Sequence, residues 1–127
     1  RALREAKSAG FDNAVILDPD GHVAEFATAN LFFVAVDGTV VTPAANGTFL
    51  AGITRARVID LLAQDGVAVH QRTVEPAELE SAREVFNTGN YGKVMPCTRY
   101  GTHEMPIGPV ATRARELYLK FAEQCRV

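Results

Sequence analysis

The feature that most constrains this chain is the run Leu31-Phe32-Phe33-Val34-Ala35-Val36, closed by Asp37-Gly38 and followed by Thr39-Val40-Val41. A strand with one solvated face alternates apolar and polar side chains, whereas this run is apolar throughout, so both of its faces must be covered. It is expected in the centre of a sheet, with Asp37-Gly38 turning the chain back, because Asp-Gly tolerates the positive φ angles of a tight turn. The same grammar occurs upstream, where Ala14-Val15-Ile16-Leu17 meets Asp18-Pro19-Asp20-Gly21 and extended chemistry resumes over 23–28. Two successive hairpins are therefore expected before any long helix.

Helical signals flank and follow them. Residues 1–9 are good helix formers with Leu3 and Ala6 on one face and Gly10 as a stop. Residues 43–48 are rich in Pro, Ala, Asn and Gly, and this loop delivers the chain to Phe49-Leu50-Ala51-Gly52-Ile53-Thr54-Arg55. The helix expected over 54–64 carries Val58, Leu61 and Leu62 on one face with Ile59 at its edge, and Asp65-Gly66 ends it as a left-handed cap. A strand over 67–74 and a short helix from Glu75-Pro76 come next. Two extended segments, 84–88 and 93–98, then flank the tight connection Gly89-Asn90-Tyr91-Gly92, with Pro96 marking a sheet edge or strand end. Residues 100–107 are polar and irregular, and Gly108-Pro109 opens a last helix with Val110, Ala114, Leu117 and Phe121 at helical spacing.

Composition removes several function classes. The 127 residues suffice for one core, and a formal charge of −2 without a basic stripe argues against a nucleic-acid surface. No apolar run approaches the roughly 20 residues that cross a bilayer. Cys97 and Cys125 are too few for a disulfide framework, which favours a reducing compartment. His22, His70 and His103 have no partner at metal-ligand spacing, so no metal site is expected. Neither serine lies in Gly-x-Ser-x-Gly, and neither a Rossmann nor a Walker glycine pattern occurs. The chain starts at Arg1, without Met or a signal-peptide pattern, as the inside of a longer polypeptide would.

Three places retain chemistry. The turn at Gly52 leads into a helix whose first N–H groups and positive dipole end attract an anion, with the Ile53 and Thr54 N–H groups and the Thr54 hydroxyl as donors. On that stretch alone, a plain helix cap is the better explanation of the pattern, since most Gly-x-Thr helix starts are only caps. Gly89-Asn90-Tyr91-Gly92 forms a second candidate anion nest, and Glu25 sits at the end of the first hairpin. Each lies at a strand end or helix start, where a scaffold can aim side chains into a shared cleft.

The motifs Gly10-Phe11-Asp12-Asn13-Ala14, Gly21-His22-Val23-Ala24-Glu25, Asn30-Leu31-Phe32, Thr42-Pro43, Leu50-Ala51-Gly52-Ile53-Thr54-Arg55, Glu84-Val85-Phe86-Asn87-Thr88-Gly89 and Gly108-Pro109 occur in order along essentially the whole chain. Together they resemble the larger, C-terminal domain of the class IV (fold type IV) pyridoxal-phosphate aminotransferases, which include branched-chain and D-amino-acid transaminases and aminodeoxychorismate lyase. The resemblance implies one domain over 1–127 with an α+β fold, a curved, mostly antiparallel sheet or pseudo-barrel flanked by helices. It implies pyridoxal 5'-phosphate as cofactor, with Glu25 on the pyridine nitrogen, Leu50 packed on the ring, Ile53 and Thr54 at the phosphate, and Asn90 where a phosphate-binding Thr is usual. Tyr91 and Gly92 stand where small residues face the phosphate and the substrate carboxylate.

The implied reaction moves an amino group between an amino acid, branched-chain L-amino acids foremost, and a 2-oxo acid, in a cytoplasmic homodimer. Two departures bear on substrate. Ala29 replaces an acid of the branched-chain members, and Asn90-Tyr91-Gly92-Lys93 replaces their Thr-Ala-Ala-Glu. An aminodeoxychorismate-lyase-like or D-amino-acid enzyme is the alternative within the family, and a non-catalytic binding domain is the alternative outside it. The resemblance also implies that the Schiff-base lysine and an N-terminal domain precede Arg1, so no catalytic residue is expected within the chain; Lys7, Lys93 and Lys120 fit surface or turn positions better.

Overall fold

The computed structural model describes residues 4–5, 15–26, 29–44, 52–89 and 94–124. Strands β1 (Val15–Leu17) and β2 (Val23–Phe26) make the first hairpin. Strands β3 (Ala29–Val34), β4 (Val40–Pro43), β5 (Val69–Arg72), β6 (Glu84–Gly89) and β7 (Val94–Cys97) make a five-stranded sheet in the order β5-β4-β3-β6-β7. Helix α1 (Ile53–Gln64) crosses from β4 to its parallel neighbour β5, and every other described pairing is antiparallel. Helix α2 (Pro76–Glu80) precedes β6, the two-residue strands β8 (Arg99–Tyr100) and β9 (His103–Glu104) follow β7, and α3 (Pro109–Gln124) ends the fold.

The central strand is β3, and its unbroken apolarity is used on two sides. Leu31 and Phe33 face one core with Val23, Phe26, Val41, Val74, Leu79, Val85 and Met105. Phe32 faces the other, where α1 supplies Val58 and Leu62 and α3 supplies Ala111 and Ala114. Phe32 stacks on its cross-strand partner Phe86 with ring centroids 5.1 Å apart. The sheet is thus a middle layer, with α1 and α3 on one face and the first hairpin and α2 on the other.

The Asp-Gly turns behave as their chemistry dictates: Gly21 and Gly38 take φ of 84° and 88°, and Asp18 Oδ1 accepts the N–H groups of Asp20 and His22 at 2.9 and 3.0 Å. Gly66 ends α1 at φ 87°. Several expectations need correction. The central strand stops at Val34, and Val36 is 59% exposed, because Ala35 already accepts the Gly38 N–H that closes the turn. β5 covers only Val69–Arg72 of the strand expected over 67–74, and Val74 leaves the sheet for the opposite core. The irregular stretch after β7 contains the β8–β9 hairpin, turned at Gly101 with φ 59°. On α3 the fully covered positions are Ala111 and Ala114, while Val110, Leu117 and Phe121 are half-buried. Of the helix expected over 1–9, Arg4 and Glu5 are helical, and the remainder lies outside the described residues.

Candidate cofactor site

Helix α1 begins at Gly52, an extended N-cap residue with no side chain to close the helix start, and its first turn holds no acidic residue. By helix geometry, the first N–H groups point outward without intrahelical acceptors. Ile53 is 86% exposed there and Thr54 half-buried. The start is tied to the sheet from two sides. Asn30 Oδ1 on β3 accepts the Gly52 N–H at 3.1 Å. Arg55, 4% exposed, donates from Nη2 to Pro43 O at 3.0 Å and to Gln71 Oε1 at 3.2 Å, binding the first turn to the ends of β4 and β5. Arg55 is thus a buried cation and not a surface charge, and that burial lowers its pKa from the ordinary value.

The β3–β6 register pairs Ala29 with Gly89 and Asn30 with Thr88. The end of β6 is therefore delivered beside the residue that holds the start of α1. Thr88 is 2% exposed, and its Oγ has no hydrogen-bond partner among the described residues. A buried hydroxyl in that condition costs about 1–3 kcal/mol, so folding alone does not account for it.

Glu25 comes from β2, opposite Ile16. It is half-buried, and that burial raises its carboxyl above the ordinary value. β2 is fixed by the Val23 N–H to Val74 O bond at 2.8 Å, and the preceding turn by His22 Nε2 against Glu75 Oε1 at 3.0 Å. Three of the sequence-predicted site residues are therefore described: Ile53 and Thr54 together at the start of α1, and Glu25 on the strand that packs beside β3. Leu50, Asn90, Tyr91 and Gly92 lie outside the described residues.

Sequence reasoning gave Asn30 and Thr88 no role. The available signal was their polarity at positions where both neighbours along the strand are buried or half-buried. The premise behind the metal expectation, that no partner lies near a histidine, needs a correction: Asp18, Asp20 and His22 bring ligand atoms within 4.8 Å of one another. The turn itself causes this clustering, since Asp18 caps the backbone N–H groups of the other two. An open cleft lined by Phe26, Asn87, Met95, Cys97, Tyr100 and Met105 lies on the opposite face of the sheet from Thr88 and shares no residue with the start of α1.

A sequence profile of the amino-transferase class IV family matches residues 1–100. The chain belongs to that family. A probable branched-chain-amino-acid aminotransferase of Aquifex aeolicus is 36% identical over 121 residues, spanning 92% of this chain and 39% of the relative. A crystal structure of an aminotransferase from Brucella abortus bound to PLP superposes with a TM-score of 0.93 at 49% identity, over 97% of this chain and 44% of that one. The PLP-form (holo-form) of the branched-chain amino acid aminotransferase from Thermobaculum terrenum gives 0.91 at 32% identity, over 98% and 42%. This class IV chain thus spans about two fifths of the length of these three relatives. The antiparallel-dominated sheet with helices against one face is the architecture it shares with them.

The described residues of this class IV aminotransferase chain suit a phosphorylated pyridine cofactor. An uncapped, acid-free helix start accepts a phosphate, an unpartnered hydroxyl lies nearby, and a half-buried carboxylate with a raised pKa suits a cationic ring nitrogen.

Proposed function

We propose that this chain is the cofactor-binding domain of a pyridoxal-phosphate-dependent transaminase acting on branched-chain L-amino acids and 2-oxo acids. The observation that carries the reading is the start of α1, where Gly52 has no capping side chain, no acid follows it, and Thr54 adds a hydroxyl to the outward N–H groups. When bound, pyridoxal phosphate supplies an electron-withdrawing pyridinium ring. Glu25 holds the proton on its nitrogen, and the cation would draw the Glu25 pKa back down from the value to which burial raises it. Ile53 and Thr54 would take the phosphate. By the family resemblance, Asn90 would join them, Leu50 would pack against the ring, and Tyr91 and Gly92 would face the phosphate and the substrate carboxylate.

In this reading the lysine that attaches the cofactor lies in a segment shortly before Arg1, with an N-terminal domain preceding that, a view supported by relatives more than twice as long as this chain. The working enzyme would be a cytoplasmic homodimer. The branched-chain preference rests on the relatives, while Ala29 and Tyr91 are the places where the pocket of this chain would differ from theirs.

The test is a titration of the full polypeptide with pyridoxal phosphate and with pyridoxal, followed by amino transfer from branched-chain L-amino acids. Thr54→Val should weaken pyridoxal phosphate about tenfold and pyridoxal hardly at all, in keeping with one lost hydrogen bond to a charged group. Glu25→Gln should spare affinity more than turnover, since its role is to keep the ring charged. Equal affinity for the two cofactors in the unsubstituted protein would remove the phosphate anchor from the reading.

A further inference from the structure

Three helix starts are described, and the sheet or the preceding chain supplies an acceptor at each. At α2, Glu75 and Glu78 form a reciprocal capping box. At α3, Glu84 Oε2 and Oε1 accept the N–H groups of Val110 and Ala111 at 3.1 and 2.9 Å. At α1 the acceptor is the neutral amide oxygen of Asn30. A carboxylate in the place of Asn30 would accept the Gly52 N–H more strongly and stabilise the positive end of the helix. It would also neutralise the field that an incoming anion uses.

Independently, Thr88 stands directly across from Asn30, so both side chains share a sheet face. Thr88 is 2% exposed and its Oγ has no hydrogen-bond partner among the described residues. Two neutral polar groups thus lie side by side at one end of α1, and one of them lowers stability as it stands. Gly52 completes the arrangement, because a Cβ there would approach Asn30 Oδ1 to 2.8 Å.

We propose that Asn30 is a positioning residue that fixes the start of α1 for a phosphate dianion while adding no charge of its own, with the Thr88 hydroxyl completing a neutral polar floor beside it. The inference rests on the reading of that helix start as the cofactor's phosphate anchor. It explains why an amide holds the Gly52 N–H at this uncapped helix start although carboxylates cap the other two.

The experiment uses the full polypeptide that carries this chain, titrated with pyridoxal phosphate and with pyridoxal, alongside the melting temperature of the cofactor-free protein. Asn30→Asp should keep that melting temperature at or above the parent value and weaken pyridoxal phosphate by about tenfold or more, as like charges at close range require, while pyridoxal binding stays unchanged. Asn30→Ser, neutral and still an acceptor, should retain the preference for the phosphorylated form. Thr88→Val should raise the cofactor-free melting temperature and weaken the phosphorylated form alone. An Asn30→Asp protein that binds pyridoxal phosphate as tightly as the parent overturns the proposal, and so does equal loss in the Asp and Ser variants. Failure of the anchor reading has its own signature: the unsubstituted protein would bind pyridoxal and its phosphate equally well.

Discussion

Replacing Gly108 by alanine tests the joint that holds α3, and through it α1, against the sheet. Gly108 precedes Pro109 at the helix start, and a Cβ added to it would overlap the Glu84 side chain at Cδ, Cγ and Oε1. Glu84 is 4% exposed, and its two oxygens accept the N–H groups of Val110 and Ala111. Moving this carboxylate aside breaks two charge-assisted hydrogen bonds, each worth about 1.5–3 kcal/mol, and strands a buried charge. The expected cost of Gly108→Ala is therefore about 3–5 kcal/mol, much of an ordinary domain's stability. The glycine does not take a positive φ, so backbone strain adds nothing. In a Glu84→Ala background the obstacle is gone, and Gly108→Ala should cost less than about 1 kcal/mol, giving a coupling energy near 3 kcal/mol in magnitude. Urea denaturation of the four proteins, read at constant m, measures this directly. Additivity within about 0.5 kcal/mol would refute the reasoning, because it would mean that Gly108 and Glu84 do not share one space.

Three further outcomes follow from other joints. Gly52→Ala should cost about 1–3 kcal/mol by forcing Asn30 off the Gly52 N–H, although φ of −69° at Gly52 suits alanine; Gly66→Ala should cost about 1–2 kcal/mol through its φ of 87° alone, and only the former should disappear in an Asn30→Ala background. Arg55→Lys should lose about 2 kcal/mol in denaturant titration, since an ammonium cannot reproduce the Nη2 bridge from Pro43 O to Gln71 Oε1, whereas the exposed Gln71 should tolerate alanine at under about 1 kcal/mol. The Glu78 carboxyl lies below its ordinary value of 4.5, chiefly through its hydrogen bonds with Arg72. A depressed folded-state pKa stabilises above the unfolded value and loses that contribution as pH falls through the folded one. Stability should therefore decline below about pH 4.5, and Glu78→Gln should flatten that decline.

Local chemistry was legible wherever it was also sufficient. Asp20-Gly21 and Asp37-Gly38 specify turns through the φ that only glycine adopts cheaply, and the uninterrupted apolar run could lie nowhere but between two cores. Helix α1 follows from its spacing and from Asp65-Gly66. What escaped the sequence depends on partners far along the chain. Nothing in Val69–Arg72 says that its neighbour is parallel, because that orientation is set by the α1 crossover. Arg55 looks like an ordinary exposed helix charge until Pro43 and Gln71, 12 and 16 residues away, enclose it. Glu84 is separated from the N–H groups it accepts by 26 and 27 residues, and Asn30 from Gly52 by 22. Ile53, Thr54 and Glu25 stood out from local chemistry at a helix start and a hairpin end, and their proposed roles come from a resemblance that carries such long-range information in motif form. Asn30 and Thr88 belong to the same motifs, yet only the sheet register gives them a task.

That register is the device that joins fold and site. Six consecutive pairs link β3 to β6, from Ala29 with Gly89 to Val34 with Glu84. In this alignment Phe32 stacks on Phe86 under the two long helices, Leu31 and Phe33 enter the opposite core, and Asn30 meets Thr88 beneath the start of α1. Shifting β6 by one residue would turn Phe86 toward the wrong core and carry Thr88 away from Asn30 at the same stroke, because side chains alternate faces with a period of two. It would also displace Glu84 from α3. Apolar packing therefore fixes the register, and the register places the polar end of the ladder under α1. The aromatic pair at the centre of the sheet thus decides where Asn30 and Thr88 meet the start of α1. A change that weakens Phe32–Phe86 packing should be felt at the start of α1 before the fold is lost. Phe86→Leu, which removes the stack while keeping most of the volume, should lower both stability and the preference for a phosphorylated cofactor, and hydrogen exchange at Gly52 and Ala56, whose N–H groups are held by Asn30 Oδ1 and Gly52 O, should rise in the cofactor-free protein; unchanged protection there would separate the two ends of the ladder and break this chain of cause.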